Sequence, residues 1–200
     1  MIMDGVYFQI IVVIQLTKKM LNLWLKMVVL ANHLLITGLM VKQQLSDGGD
    51  NMGTHAHIGY IEKGKIHYIY CHYDGYKSWV GRILQESYTD PEKIKQLIAL
   101  GDISSLGPNL APESGAEHDI LKPAQDTTFA YHRDRGESWD HTQPRTTWQL
   151  GTFFTEEFNY LINLDDPDHN LCPQNKWVYS VGSGQIHDLK TWYDEYKELE

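Results

Sequence analysis

Two stretches, THAHIGYIE (Thr54–Glu62) and KIHYIYCH (Lys65–His72), are rich in β-branched and aromatic residues, and only Lys63-Gly64 separates them. No other feature of the chain restricts its fold as much. Strand formers on either side of a two-residue turn, with a glycine free to take positive φ, predict a β-hairpin. Side chains alternate across a strand, so Ile66, Tyr68, Tyr70 and His72 share one face while His67, Ile69 and Cys71 share the other. Neither face is wholly polar, which predicts a central strand.

The hairpin leads into Asp74-Gly75-Tyr76, a turn signal, and then into Ser78–Tyr88, where Val80, Ile83, Leu84 and Ser87 recur at helical spacing. Asp90 is a natural N-cap and Pro91 suits the first position of a second helix. Ile94, Leu97 and Ile98 form that helix's apolar stripe, and Gly101 is placed to end it. Pro and Gly among polar residues mark Gly107–Gln125 as loop. TTFAYH (Thr127–His132) reads as a third strand and Glu137–Gln149 as a polar, extended excursion. Tyr160–Leu164 and Lys176–Val181 read as two more strands joined by an acidic loop, Asp165–Gln174, and Leu189–Leu199 as a closing amphipathic helix. Paired strands with helices inserted between them predict an α+β fold, an antiparallel sheet of about five strands with helices on one face.

A different kind of sequence precedes the hairpin. Residues 1–51 hold four Lys, no Arg and only Asp4, Asp47 and Asp50 as acids, around the apolar runs Val6–Leu16 and Leu21–Val41. The second run has the length of a membrane span, which needs roughly 20 residues. It carries Lys26, Asn32 and His33, however, and a lysine at a helix centre costs about 2.5–3.5 kcal/mol on insertion. A signal peptide fits no better, because charges follow the first run and no A-x-A-like cleavage site closes either one. Gly48-Gly49-Asp50-Asn51-Met52 back-translates to a purine-rich ribosome-binding sequence just before an ATG. The expectation is therefore that residues 1–51 are a translated upstream region or apolar extension outside the core, and that 52–200 form one α+β domain. A membrane anchor through Leu21–Val41 and a soluble pair of N-terminal helices are the alternatives.

Residues 52–200 hold 23 acidic and 13 basic side chains, a formal net charge of −10. A domain of this size buries about 68–70% of its unfolded surface, enough for a core without staples. The acidic balance argues against a sequence-independent grip on nucleic acid, which needs Lys and Arg against phosphates. Cys71 and Cys172 stand far apart and outside any C-x-x-C, so a reduced, cytoplasmic protein is expected. No G-x-S-x-G, P-loop or H-E-x-x-H is present. The letters H-R-D at His132–Asp134 lack the Gly-rich loop and D-F-G of a kinase.

Met52–Tyr88, MGTHAHIGYIEKGKIHYIYCHYDGYKSWVGRILQESY, resembles a family of small hypothetical proteins of bacteriophages and prophages that open with M-G-T-R, form a hairpin and continue C-H-W-D-G-Y-P. IKQLIALGDISSLG (Ile94–Gly107) and FAYHRDRGE (Phe129–Glu137) are similar to the same family, with a weaker echo over Tyr160–Val181. The resemblance implies a phage origin, the host cytoplasm and a start at Met52, and it carries no catalytic residues over. His55 stands where Arg is usual, Tyr73 where Trp is usual and Lys77 where Pro is usual.

Three groups of residues invite chemistry. His55 and His57 point to one face of their strand, and the hairpin brings them near Cys71, His72 and Asp74. Imidazoles with a thiolate or carboxylate hold zinc or another divalent metal. Cys71 and His72 point to opposite faces, so at most one of them joins the histidines, and hydrogen-bonded or exposed sheet histidines are the plainer reading. His132, Arg133 and Arg135 sit at a strand end, where an acid or base and an anion fork are well placed; pairing with nearby carboxylates is the alternative. Tyr73, Asp74, Tyr76 and Trp79 could stack on a ring and accept a hydrogen bond, or anchor a partner. Alternatively, Asp74 caps the following helix and the aromatics enter the core. No cofactor is expected. These features favour an accessory protein that binds a host or defence component or a nucleotide-like ligand, ahead of a metal- or His/Arg-dependent enzyme.

Overall fold

The computed structural model describes residues 53–114, 116–119 and 121–199, all within the second of two units into which the chain divides at Met52–Gly53. The expectations for residues 1–51, including a span at Leu21–Val41, fall outside the described residues. Among the described residues no helix is long and apolar enough to cross a membrane.

The hairpin forms as its sequence dictates. β1 (Ala56–Glu62) and β2 (Lys65–Cys71) pair antiparallel with Glu62 opposite Lys65, and Lys63 and Gly64 both take positive φ, at 52° and 72°. Two successive left-handed residues match the right-handed twist of the strands. A π-helical turn at Lys77–Gly81 runs into α1 (Arg82–Ser87), and α2 (Pro91–Ala99) follows. The Asp90 carboxylate accepts the Glu92 N–H at the start of α2, Pro91 occupies the first turn, and Gly101 leaves the helix with φ at 76°.

The remaining elements are β3 (Ile103–Ser105), β4 (Phe129–Ala130), α3 (Tyr131–Arg135), α4 (Trp139–Thr142), β5 (Arg145–Thr147) and α5 (Leu150–Phe153). They are followed by β6 (Phe158–Asn163), β7 (Trp177–Val181), β8 (His187–Asp188) and α6 (Leu189–Lys197). The fold is α+β, but the sheet corrects the expectation of five antiparallel strands. Among the described residues it has eight strands in the order β4-β3-β2-β1-β6-β7-β8, with β5 also on β2, and it is mixed. β1 lies parallel to β6 and β2 parallel to β3. A parallel neighbour needs a long crossover, and the chain between β1 and β6 provides one. The three unpredicted strands, β3, β5 and β8, are two or three residues long, too short for alternation to reveal them.

The expected strand Thr127–His132 stops early. Only Phe129–Ala130 forms a strand, with Thr127 making an isolated bridge to Asn109, and the Asp134 carboxylate reaches back to the Ala130 N–H at 2.7 Å where a helical turn starts. Gly136, at φ 69°, ends that turn.

One sheet face is apolar. Ala56, Ile58, Ile69, Cys71 and Tyr160 pack there against Val80, Leu84, Ile94, Leu97 and Leu189 from the helices. Trp177 closes this core by donating its indole N–H to the Tyr88 carbonyl at 2.8 Å, and the Tyr88 hydroxyl donates to Gly107 at 2.7 Å. Helices are not confined to this face, which is a second correction. The turn α5 lies on the opposite face, where Phe153 and Phe154 cluster with Ile61, Ile66, Tyr68, Leu161 and Val178. They cover only part of it.

Candidate functional site

The rest of that second face carries His55, Tyr70 and His72, with His57 buried beside them against Phe153 and Tyr68. Cross-strand pairing sets His57 opposite Tyr70, and all four side chains share a face by the two-residue period of the strands. The His55 and His72 rings stack at 4.9 Å, and His55 meets Tyr70 edge-on at 5.4 Å. Cys71 points into the apolar core, where burial pushes its thiol up to about 12.

Gly59 decides how this face is built. A Cβ at Gly59 would stand 2.8 Å from the His67 carbonyl and 3.0 Å from the Phe153 ring. The missing side chain lets Phe153 settle onto the strand, a common use of glycine inside a sheet. The Phe153 carbonyl then lies 2.8 Å from His57 Nδ1. A carbonyl only accepts, so Nδ1 carries the proton and Nε2 keeps a lone pair. Burial holds the His57 pKa below its ordinary value, against the raising effects of the Phe153 carbonyl and Glu156.

Glu156 stands over both histidines. Its carboxylate oxygens lie 3.8 Å from His57 Nε2 and 3.9 Å from His55 Nδ1, and the His57 side chain is only 7% exposed. Asn159, fully buried at the start of β6, fixes this approach. Its side chain accepts the Glu156 N–H and donates to the Glu156 and Gly182 carbonyls. Glu156 was invisible to sequence reasoning, being one acid among many and 99 positions from His57. The signal that could have found it is Gly59, a glycine inside an otherwise strong strand.

The rim is aromatic. The Tyr70 hydroxyl lies 2.9 Å from His72 Nδ1, and burial pushes its pKa up to about 12, with Glu156 adding to the effect. His72 is lowered by burial first and by His55 and Arg135 next. Tyr73, 45% exposed, stands edge-on to His72 at 4.4 Å, and Tyr131 lies beyond. The outer edge of β2 is shared between β5 at Ile66–Tyr68 and β3 at Cys71, which leaves the Tyr70 N–H at a seam. Asp102 fills it, accepting that N–H at 2.8 Å while paired to Arg145. Burial raises the Asp102 pKa, opposed by the Tyr70 N–H and by Arg145.

The other sequence candidates are placed as follows. Of the suggested metal set, His55, His57 and His72 share one face of the hairpin, and His55 stacks on His72. Among the described residues, however, no group of three or more His, Cys, Asp or Glu side chains is arranged to hold a metal ion. Arg133 donates to Asp134, to the Leu110 carbonyl and to the Thr128 carbonyl, each at 2.6 Å, so its guanidinium is committed to the fold. His132 Nδ1 lies 2.7 Å from the Glu137 carbonyl, with the ring against Trp139. Arg135 pairs with Glu137 at 3.1 Å and covers the Tyr131 ring. These three side chains converge on no common point.

Asp74, at φ 58°, does not cap the next helix, whose cap residue Tyr76 makes no side-chain capping bond. Trp79 is 39% exposed with Arg82 over its ring, and Tyr76 is half-buried. Only Tyr73 of that quartet is shown against the histidine basin. No family model, curated protein or solved structure matches the chain.

Proposed function

We propose that the protein is a small accessory binding protein, of the phage kind that Met52–Glu137 resembles, and that it holds a nucleotide-like ligand in the His55–His57–Glu156 basin. One observation carries this reading. Two acceptors, His57 Nε2 and the Glu156 carboxylate, face one another at 3.8 Å, and the second Glu156 oxygen lies 3.9 Å from His55, whose ring stacks on His72. Among the described residues no N–H or O–H group makes a hydrogen bond to either. Acceptors left open beside rings that can stack suit a planar ligand bearing N–H donors. The acidic balance of the chain agrees with a ligand recognised through its base rather than through phosphates.

Titration calorimetry of the purified protein against free nucleosides tests the reading. A saturable signal with at least one base, weakened by Tyr73→Ala and by Glu156→Gln, supports it. Heat no larger than dilution for every base would remove it.

A further inference from the structure

The geometry points to guanine as the base that the basin takes, with its N1–H and N2–H2 donors directed at Glu156 and His57 Nε2. The inference rests on the binding reading above and deepens it. Its basis is the donor and acceptor pattern of the basin floor. Glu156, when ionised, only accepts, through two oxygens, and the Phe153 carbonyl fixes His57 in the tautomer whose Nε2 also accepts. His55 Nδ1, 3.9 Å from the second Glu156 oxygen, is too distant to satisfy it.

A floor made of acceptors sorts the bases by repulsion as much as by attraction. Adenine and cytosine each set a ring-nitrogen acceptor beside their amino group, and uracil flanks its single ring N–H with two carbonyls. Each of these would place a lone pair against a carboxylate. Guanine alone has a ring N–H next to an exocyclic amine, two parallel donors that match the fork of a carboxylate. The amine has a second hydrogen, and His57 Nε2, 3.8 Å from a Glu156 oxygen, is the other acceptor of the floor. The partly exposed rings of His55 and Tyr73 offer surfaces for the purine to lie against.

Inosine is guanosine without the exocyclic amine, so it isolates the paired-donor contact. Calorimetry of the full chain with guanosine, inosine, adenosine, cytidine and uridine is expected to rank guanosine first. Inosine should follow about tenfold or more behind, because hydrogen bonds to charged groups are the strong ones. Glu156→Gln, which keeps the shape and loses one acceptor, should erase most of the gap between guanosine and inosine. His57→Asn should weaken guanosine more than inosine, since it keeps an N–H for Phe153 and deletes Nε2. Urea midpoints of both variants separate a lost contact from a lost fold. Equal affinity for guanosine and inosine, or tighter binding of adenosine, would overturn the guanine assignment while leaving a base-binding protein. Binding of no nucleoside would remove the parent reading as well. Tight binding of Zn²⁺ alone to the wild type, abolished by Glu156→Gln in the absence of any nucleoside effect, would overturn both.

Discussion

The histidine basin and the Tyr131–Glu137 turn contain the same kinds of side chain and use them in opposite ways. In the turn Arg133 and Asp134 are both spent. Arg133 satisfies Asp134 and two loop carbonyls, Asp134 also takes the Ala130 N–H, and His118 Nε2 stands 3.2 Å from the same Asp134 oxygen. The His118 and Asp134 side chains are both 4% exposed, and Ala124 donates its N–H to His118 Nδ1. This network staples the 108–128 loop to β4 and α3. In the basin His57 Nε2 and the Glu156 carboxylate are acceptors 3.8 Å apart, and neither receives a hydrogen bond from the described residues. Charge and histidine density therefore do not distinguish a staple from a site; the balance of donors against acceptors does.

The largest expected effect lies in the staple. Arg133→Ala leaves the Asp134 carboxylate buried with its main cation gone, and breaking such a pair costs about 3 kcal/mol. Urea denaturation would read this as a lower midpoint, and a loss below about 1 kcal/mol would show that the loop holds without its clip. Gly59→Ala comes next, at about 2 kcal/mol, because the new methyl meets the His67 carbonyl and the Tyr68 Cβ, neither of which is a flexible side-chain end. It should also lift Phe153, detach its carbonyl from His57 and weaken nucleoside binding. Full binding by a destabilised Gly59→Ala protein would separate the fold's need for this glycine from the site's.

The two regions also differ in how much of them the sequence revealed. The hairpin, its register, the Asp90 cap and the Gly101 stop were legible because each depends on residues a few positions apart. Gly64 needs only its neighbours to be a turn. The pairing of β1 with β6 depends on a return from far along the chain, and period-two alternation carries no information about the direction of a partner. The basin fell into this gap. His55, His57 and His72 were visible as a group because the hairpin joins them, whereas Phe153 and Glu156 reach them only through the parallel pairing. The staple was misleading for the converse reason. HRDRGE presents its charges in sequence, yet the partners that neutralise Arg133 are carbonyls of Leu110 and Thr128.

Acid should act on the two regions in separate windows. The folded His57 pKa lies below 6.5, so between that value and its folded pKa the unfolded chain binds more protons than the folded one. Stability therefore falls as pH drops below about 6.5, the region where an ordinary histidine titrates. His57→Asn should flatten this part of the curve; His72 and His67, also lowered by burial, remain in both proteins and cancel in the difference. For Asp134, burial raises the pKa, but Arg133, the Ala130 N–H and His118 together leave it below 3.8. Its contribution is present above that value and is lost only as pH falls through the lower folded pKa. Stability curves of wild type and His57→Asn that run parallel from pH 7 to pH 5 would place the acid sensitivity outside the basin.

The smallest effect belongs to Arg135, and it tests where the staple ends. Its guanidinium pairs with Glu137 at a partly exposed position, 3.1 Å away, and rests on the Tyr131 ring. Exposed pairs of this kind contribute at most about 1 kcal/mol, because water screens the charges and two long side chains lose freedom. Arg135→Ala should therefore shift the urea midpoint much less than Arg133→Ala, although the two arginines are two residues apart on one helical turn. A double variant should lose roughly the sum of the two effects, since the partners of Arg133 and of Arg135 do not overlap. A loss well short of that sum would mean that Arg135 already holds the turn for Arg133. The boundary between a buried network and a surface pair would then lie at Glu137 rather than at Asp134.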